Sequence, residues 1–328
     1  MTDIREHPAA SAVFPTTKTS TSLSSLSRAQ TAGEYEFWNV GEEETEVLLF
    51  RAQGNKIPRL VVVVVPGNPG VIDYYETFLN VIYECCNEMV DIIGVQHLGH
   101  SSAVDHDRNF SVKDQVNHKI ALLDLITEKY GKDMKIVLMG HSFGAWVSVQ
   151  MLKARPDANM VKIFALFPTL HSIAATPKGR RISYLTLPVV RSIPPLFVSF
   201  LRTLTYFTPK LFPRLISTFS GQTGTDLTIT CGKLLHYRTV LNTLYLASHE
   251  MREIKDLDEE TVEKNIEKFV FYYGTKDEWC PVWHWEQMSA KFPKAEIHLC
   301  RDELPHAFVL GYSDIMGRKV AQWLRNVL

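Results

Sequence analysis

A serine between two glycines, Gly140-His141-Ser142-Phe143-Gly144, directly follows the apolar run Ile136-Val137-Leu138-Met139. No other segment restricts the backbone as much. To leave a strand, turn through a serine and enter a helix at once, the chain must accept a strained residue at the turn. It also needs very small residues two positions before and two after, where strand and helix close in on each other. Residues 145–152 contain good helix formers, and Arg155-Pro156 stops them. Strand, sharp turn and helix are all present, and the turn presents the hydroxyl of Ser142 as a candidate nucleophile.

The rest of the chain supplies the sheet that such a turn requires. Residues 35–40 and 46–52 read as a two-stranded meander around Gly41-Glu42, and residues 60–65 form a continuous β-branched run suited to a strand covered on both faces. Residues 92–95, 135–139, 163–167, 269–273 and 297–300 repeat that signature. Between them lie helical segments. Ser111 and Asp114 form a capping box ahead of Val116, Ile120, Leu123 and Tyr130, and further helices are predicted over 282–291 and 313–327. Strands separated by helices of this length imply right-handed βαβ units, hence an α/β fold with a mostly parallel central sheet and helices on both faces.

The alternation stops at about residue 171 and resumes near 269. The predicted organisation is a Ser/Thr-rich, unstructured leader over 1–33 and one domain over 34–328. An insertion over 171–266, too long for a loop, forms a basic and apolar cap within it. Asp3, Glu6 and the scarcity of arginine argue against a transit peptide in the leader. The formal net charge of −1 gives no bulk attraction to nucleic acid. Five scattered cysteines without C-x-x-C spacing point to reduced thiols and away from a zinc site or a disulfide framework.

A serine hydroxyl becomes a useful nucleophile only when a base takes its proton and an acid orients the base. After an elbow of this kind the chain order is serine, acid, histidine. Asp277, in Gly274-Thr275-Lys276-Asp277 after the strand that follows the insertion, is the predicted acid, in preference to the adjacent Glu278. His306 lies in a loop beyond the last strand and is the predicted base; His298 falls inside that strand and His284 inside a helix. The backbone amides of Phe143 and Asn68 are the predicted oxyanion donors. Pro69 has no N–H, and Gly67 lets the backbone pass close to a ligand. Gly99-His100-Ser101-Ser102-Ala103 nearly repeats the motif, but it lacks the second glycine and a following helix. No metal or organic cofactor is required by this chemistry.

Between Ser172 and Thr225 there is no acidic residue, while Lys178, Arg180, Arg181, Arg191, Arg202, Lys210 and Arg214 punctuate apolar and aromatic runs. Pro188, Pro194, Pro195, Pro209 and Pro213, together with the spacing of the charges, exclude a spanning helix and favour an element lying on a lipid surface. Arg191, Phe197, Phe200, Arg202, Phe207, Phe212 and Arg214 are the predicted membrane-contact residues. Leu234, Tyr237, Leu241, Leu244 and Met251 then return as a helix toward the core.

With these features placed, the chain resembles the lipid droplet-associated hydrolases of the α/β-hydrolase superfamily. The resemblance is carried by Val65-Pro66-Gly67-Asn68-Pro69-Gly70 with Tyr74-Tyr75, and by residues 139–144, 273–279 and 304–308. It extends from Tyr35 to the C-terminus. Generic members of the superfamily have His-Gly where this chain has Pro66-Gly67, so the Pro-Gly-Asn-Pro-Gly loop is the more specific mark. The resemblance implies a serine hydrolase on lipid droplets and the cytosolic face of the endoplasmic reticulum, acting on neutral lipid esters such as cholesteryl ester and triacylglycerol. A droplet-binding protein that affects lipid storage through its surface is the alternative. A soluble small-ester or thioester hydrolase is a third reading, and it requires that the cap not bind membranes.

Overall fold

Five consecutive valines form strand β3 (Val61–Val65), and their side chains alternate between two separate apolar layers: Val61, Val63 and Val65 on one face, Val62 and Val64 on the other. A strand with no polar face has to lie in the middle of a covered sheet. Each buried valine contributes roughly 1.5–3 kcal/mol relative to exposure. The computed structural model describes residues 33–53, 58–104 and 106–328; the leader predicted over 1–33 lies, apart from Gly33, outside the described residues.

β3 is central to an eight-stranded sheet. Its other strands are β1 (Glu34–Val40), β2 (Glu43–Phe50), β4 (Asp91–Val95), β5 (Ile136–His141), β6 (Met160–Leu166), β7 (Phe269–Gly274) and β8 (Glu296–Cys300). The order is β1-β2-β4-β3-β5-β6-β7-β8. β2 runs antiparallel to both its neighbours, β1 and β4, and every other pairing is parallel. The β1–β2 turn uses Gly41 at φ +62°, a left-handed conformation that glycine adopts at little cost.

Helix α1 (Glu76–Cys85) and the terminal helix α11 (Ser313–Arg325) cover one face of the sheet. The helices α2 (Val112–Tyr130), α3 (Phe143–Ala154) and α10 (Val282–Lys291) cover the other. The Ser111–Asp114 capping box that the sequence predicts is formed in full. α1 was not expected from the sequence, although Phe78, Leu79, Ile82 and Tyr83 bury one side of it. Between β6 and β7 the chain builds α4 (Pro177–Ile182), α5 (Ile193–Leu204), α6 (Leu211–Ser220), α7 (Gly224–Ile229), α8 (Tyr237–Glu253) and α9 (Glu259–Lys264). α8 places Leu246 and Met251 in the same apolar layer as α2 and α3. The sheet thus carries its parallel strand ends, and the loops after them, to one edge, where ligands of open α/β sheets bind.

Candidate active site

Ser142 leaves β5 with φ +54° and ψ −121°, a conformation that costs a non-glycine residue about 1–3 kcal/mol and persists only where its surroundings impose it. The flanking glycines show what imposes it. A Cβ on Gly144 would sit 2.0 Å from the Val65 carbonyl oxygen, and one on Gly140 would sit 2.4 Å from the Gly144 carbonyl oxygen. Neither contact is with a side chain that could move, so strand β3 and helix α3 approach to a distance that only glycine permits.

Three loops bring the predicted Ser, His and Asp together at the sheet edge. Ser142 Oγ lies 2.8 Å from His306 Nε2, and His306 Nδ1 lies 2.6 Å from Asp277 Oδ2. The other oxygen of Asp277 accepts from the amides of Trp279 and Cys280 at 2.7 and 2.9 Å. Burial opposes a charge on Asp277, yet His306 and these two amides together hold its pKa below the ordinary carboxylate value. A carboxylate on Nδ1 fixes that nitrogen as the N–H, so Nε2 is left as an acceptor facing the serine hydroxyl. That arrangement can take a proton from Oγ. Glu278, the rejected neighbour, instead pairs with Arg181 at 2.7 Å on the surface.

Ligand-type atoms of Asp277, Cys280 and His306 lie within 4.8 Å of one another. Burial, and then Asp277, push the Cys280 thiol well above its ordinary pKa, and its Sγ donates to the Phe167 carbonyl at 3.0 Å. The cluster is therefore a hydrogen-bonded support for the imidazole, with each donor already committed.

The 66–70 loop runs beneath the serine: a Cβ on Gly67 would be 2.9 Å from Ser142 Cβ. Several polar groups of this loop are committed. Gly67 N–H donates to Tyr75 Oη at 2.9 Å, Asn68 Nδ2 to the Thr243 carbonyl and to Glu250 Oε1, and the Pro69 carbonyl accepts from His100 Nδ1. The amides of Asn68 and Phe143 have no acceptor among the described residues. Both amides are therefore unengaged, as donors for an oxyanion have to be.

A second relay was not anticipated from the sequence. Tyr75 Oη lies 2.6 Å from His141 Nδ1, and His141 Nε2 lies 2.9 Å from the His306 carbonyl. Its two ends fix the direction. The Gly67 amide can only donate and the His306 carbonyl can only accept, so Tyr75 donates to Nδ1 and His141 carries its proton on Nε2. Burial, followed by the proximity of His306, pushes His141 down to about 3, which keeps it neutral. Loop, elbow and histidine are tied by one chain of hydrogen bonds. The only hint in sequence was a histidine inside the Gly-x-Ser-x-Gly stretch.

Ser101, in the near-repeat, donates to Glu46 Oε2 at 2.5 Å and stands apart from these relays. The predicted membrane-contact set divides. Phe197, Phe200, Phe207 and Arg214 are exposed, Phe207 to 88%. Phe212 is corrected, because it is buried within the insertion, and the half-buried Arg191 and Arg202 are engaged by groups of the insertion itself. Arg191 donates to Ser248 Oγ and lies 4.8 Å from the Tyr245 ring, both on α8. Arg202 donates to the carbonyls of Cys231 and Leu235 and stacks over Phe212, which is 7% exposed. A guanidinium has five donors, and carbonyls left over at irregular helix ends accept some of them.

The architecture is that of the α/β-hydrolases. The haloalkane dehalogenase DbeA from Bradyrhizobium elkani superposes with a TM-score of 0.63 at 11% identity, covering 90% of this chain and 98% of its own. An esterase from Exiguobacterium antarcticum gives a TM-score of 0.56 at 14% identity, covering 88% and 98%. At these identities the likeness concerns the fold alone. The lipid-droplet associated hydrolase family matches residues 58–309. The lipid droplet-associated hydrolase of Homo sapiens is 31% identical over 89% of this chain and 95% of its own length, and that of Gallus gallus 30% identical over 85% and 89%. The chain belongs to this family.

Proposed function

We propose that the protein is a serine ester hydrolase acting on neutral lipid esters, cholesteryl ester and triacylglycerol, at a lipid droplet surface. The observation that carries the chemistry is the unbroken Oγ–Nε2, Nδ1–Oδ2 relay of Ser142, His306 and Asp277. Ser142 Oγ attacks the ester carbonyl as His306 Nε2 takes its proton, and Asp277 stabilises the imidazolium. The amides of Phe143 and Asn68 hold the oxyanion. The imidazolium returns the proton to the leaving alcohol. Water, deprotonated by His306, then releases the acid and restores the serine.

The outer surface of the insertion supports the location. Along α5, Ile193, Leu196, Phe197, Phe200 and Leu204 recur at helical spacing, and all are exposed. Phe207 and Phe219 are exposed as well, as are Lys210 and Arg214. Apolar side chains of this size stabilise binding when they enter acyl chains, and the cations complement anionic headgroups. No single described helix is long and apolar enough to cross a membrane. The pair Pro177–Thr186 and Val190–Leu204 would suffice only together, and it is bent by 83°. The insertion is accordingly read as a cap that rests on the lipid.

The test is hydrolysis of cholesteryl oleate and triolein emulsions by purified wild type and Ser142→Ala. A fall of at least about 10³-fold is expected in the variant; equal rates would remove the serine from the reaction. The exposed α5 face also suits a second reading, a droplet-binding protein acting through its surface. In that case Ser142→Ala and wild type would change droplet size in cells equally.

A further inference from the structure

The loop beneath the serine contains a mechanical conflict. Gly67 has to be glycine to pass Ser142, and glycine leaves the peptide plane between residues 67 and 68 free to rotate. The Asn68 N–H belongs to that plane. Tyr75 grips its near end through the Gly67 amide. At the far end, the Asn68 side chain spends both Nδ2 hydrogens on α8: one on the Thr243 carbonyl at 3.0 Å, the other on Glu250 Oε1 at 2.8 Å. Both acceptors belong to the insertion and neither to the sheet.

Glu250 is costly where it stands. It is 5% exposed and forms no salt bridge among the described residues. Burial pushes its carboxyl up to about 7, against the opposing effect of the Asn68 hydrogen bond. If packing alone were required, methionine or leucine would serve better, because an unpaired buried carboxyl loses its hydration without an ionic partner.

We propose that Glu250 is a positioning residue for the reaction: by accepting from Asn68 Nδ2 it sets the Gly67–Asn68 peptide plane so that the Asn68 amide meets the oxyanion. The proposal rests on the serine-hydrolase reading above. It also makes the oxyanion site a joint product of two parts of the chain. The nucleophile turn at the start of α3 supplies the Phe143 amide, and the insertion, through α8, orients the Asn68 amide. The readiness of the Asn68 donor is then set by where α8 sits.

The experiment uses the full chain and a soluble probe, p-nitrophenyl butyrate, with kcat, KM and Tm measured separately for wild type, Ser142→Ala, Glu250→Gln, Glu250→Met and Asn68→Ala. Glutamine keeps the acceptor, so Glu250→Gln should stay within about 3-fold of wild type. Glu250→Met should keep or raise Tm yet lose kcat by about 10–100-fold with KM within about 3-fold, part of the 10²–10³-fold cost of deleting an oxyanion donor. Asn68→Ala removes the same contact from the other side and should lose a similar factor. Combined with Glu250→Met it should add little, since both act through one hydrogen bond. Wild-type kcat in Glu250→Met or in Asn68→Ala, or a loss confined to KM, overturns the proposal. An equal loss in Glu250→Gln also overturns it. Wild type no more active than Ser142→Ala would remove the serine reading and this inference together, whereas an active wild type matched by Glu250→Met removes this inference alone.

Discussion

Helices α3 and α5 are each twelve residues long and rich in large apolar side chains, yet α3 buries eight residues and α5 only two, Pro195 and Val198. α3 leaves the nucleophile turn and lies directly on β3 and β5, with α2 closing over it, so Val147, Met151 and Leu152 meet protein on every side. α5 lies on the outside of the insertion and turns its apolar stripe away from the fold. Apolar periodicity specifies that a helix has a face to cover; it does not specify what covers it. In α3 the covering is the sheet. For α5 the proposed covering is lipid, and the two helices accordingly mark the two ends of the proposed function.

The sharpest way to break the comparison is at the site that α3 helps to build. Asp277→Asn keeps an oxygen for the amides of Trp279 and Cys280, so Tm should hardly move. Its amide would face His306 Nδ1 as a donor and force the proton onto Nε2, and kcat should fall by about 10³–10⁴-fold. An undiminished rate would show that the imidazole needs no orienting acid here.

Equivalent truncations on the two helices come next. Leu152→Ala, in a fully packed position of α3, should cost about 2–5 kcal/mol in urea unfolding. Phe200→Ala, on the exposed stripe of α5, should leave stability within about 0.5 kcal/mol. It should weaken sedimentation with phosphatidylserine-containing vesicles by about 10-fold or more, the loss of roughly 1.5–3 kcal/mol of aromatic burial. If Phe200→Ala destabilised the fold as Leu152→Ala does, the outer face would be covered by protein, and the lipid reading would fail.

The inner side of the insertion gives an effect that appears only as pH is changed. Glu250 titrates near 4.5 when unfolded and near 7 when folded. The folded chain therefore binds this proton more tightly. Stability from this group is greatest below pH 4.5 and declines as pH rises through 7, by on the order of 3 kcal/mol at about 1.4 kcal/mol per pH unit. Glu250→Gln should match wild type near pH 4 and exceed it by that order at pH 8 in chemical unfolding. A constant difference across pH would mean that the carboxyl is not buried as described.

Much of the sheet and the serine–histidine–acid set was legible in sequence because both depend on local rules. Continuous β-branched runs mark covered strands, the glycines around Ser142 mark a turn that admits nothing larger, and Asp277 and His306 follow strands in the required order. Helix α1 has no start signal in sequence, because the residue before it, Tyr75, supplies no capping side chain. The division of the insertion's arginines was also illegible. Arg191, Arg202 and Arg214 look alike in a basic, apolar segment, and only packing turns two of them inward, onto α8 and onto carbonyls at an irregular helix end.

By itself, the sequence determined a parallel sheet, a nucleophile turn and an apolar, basic insertion, because each is written in residues close together along the chain. The Tyr75–His141 relay, the inward arginines and the grip of Glu250 on Asn68 were decided by the tertiary structure. These link residues 66 and 182 positions apart, and a hydrogen bond between such groups depends on where the fold places them.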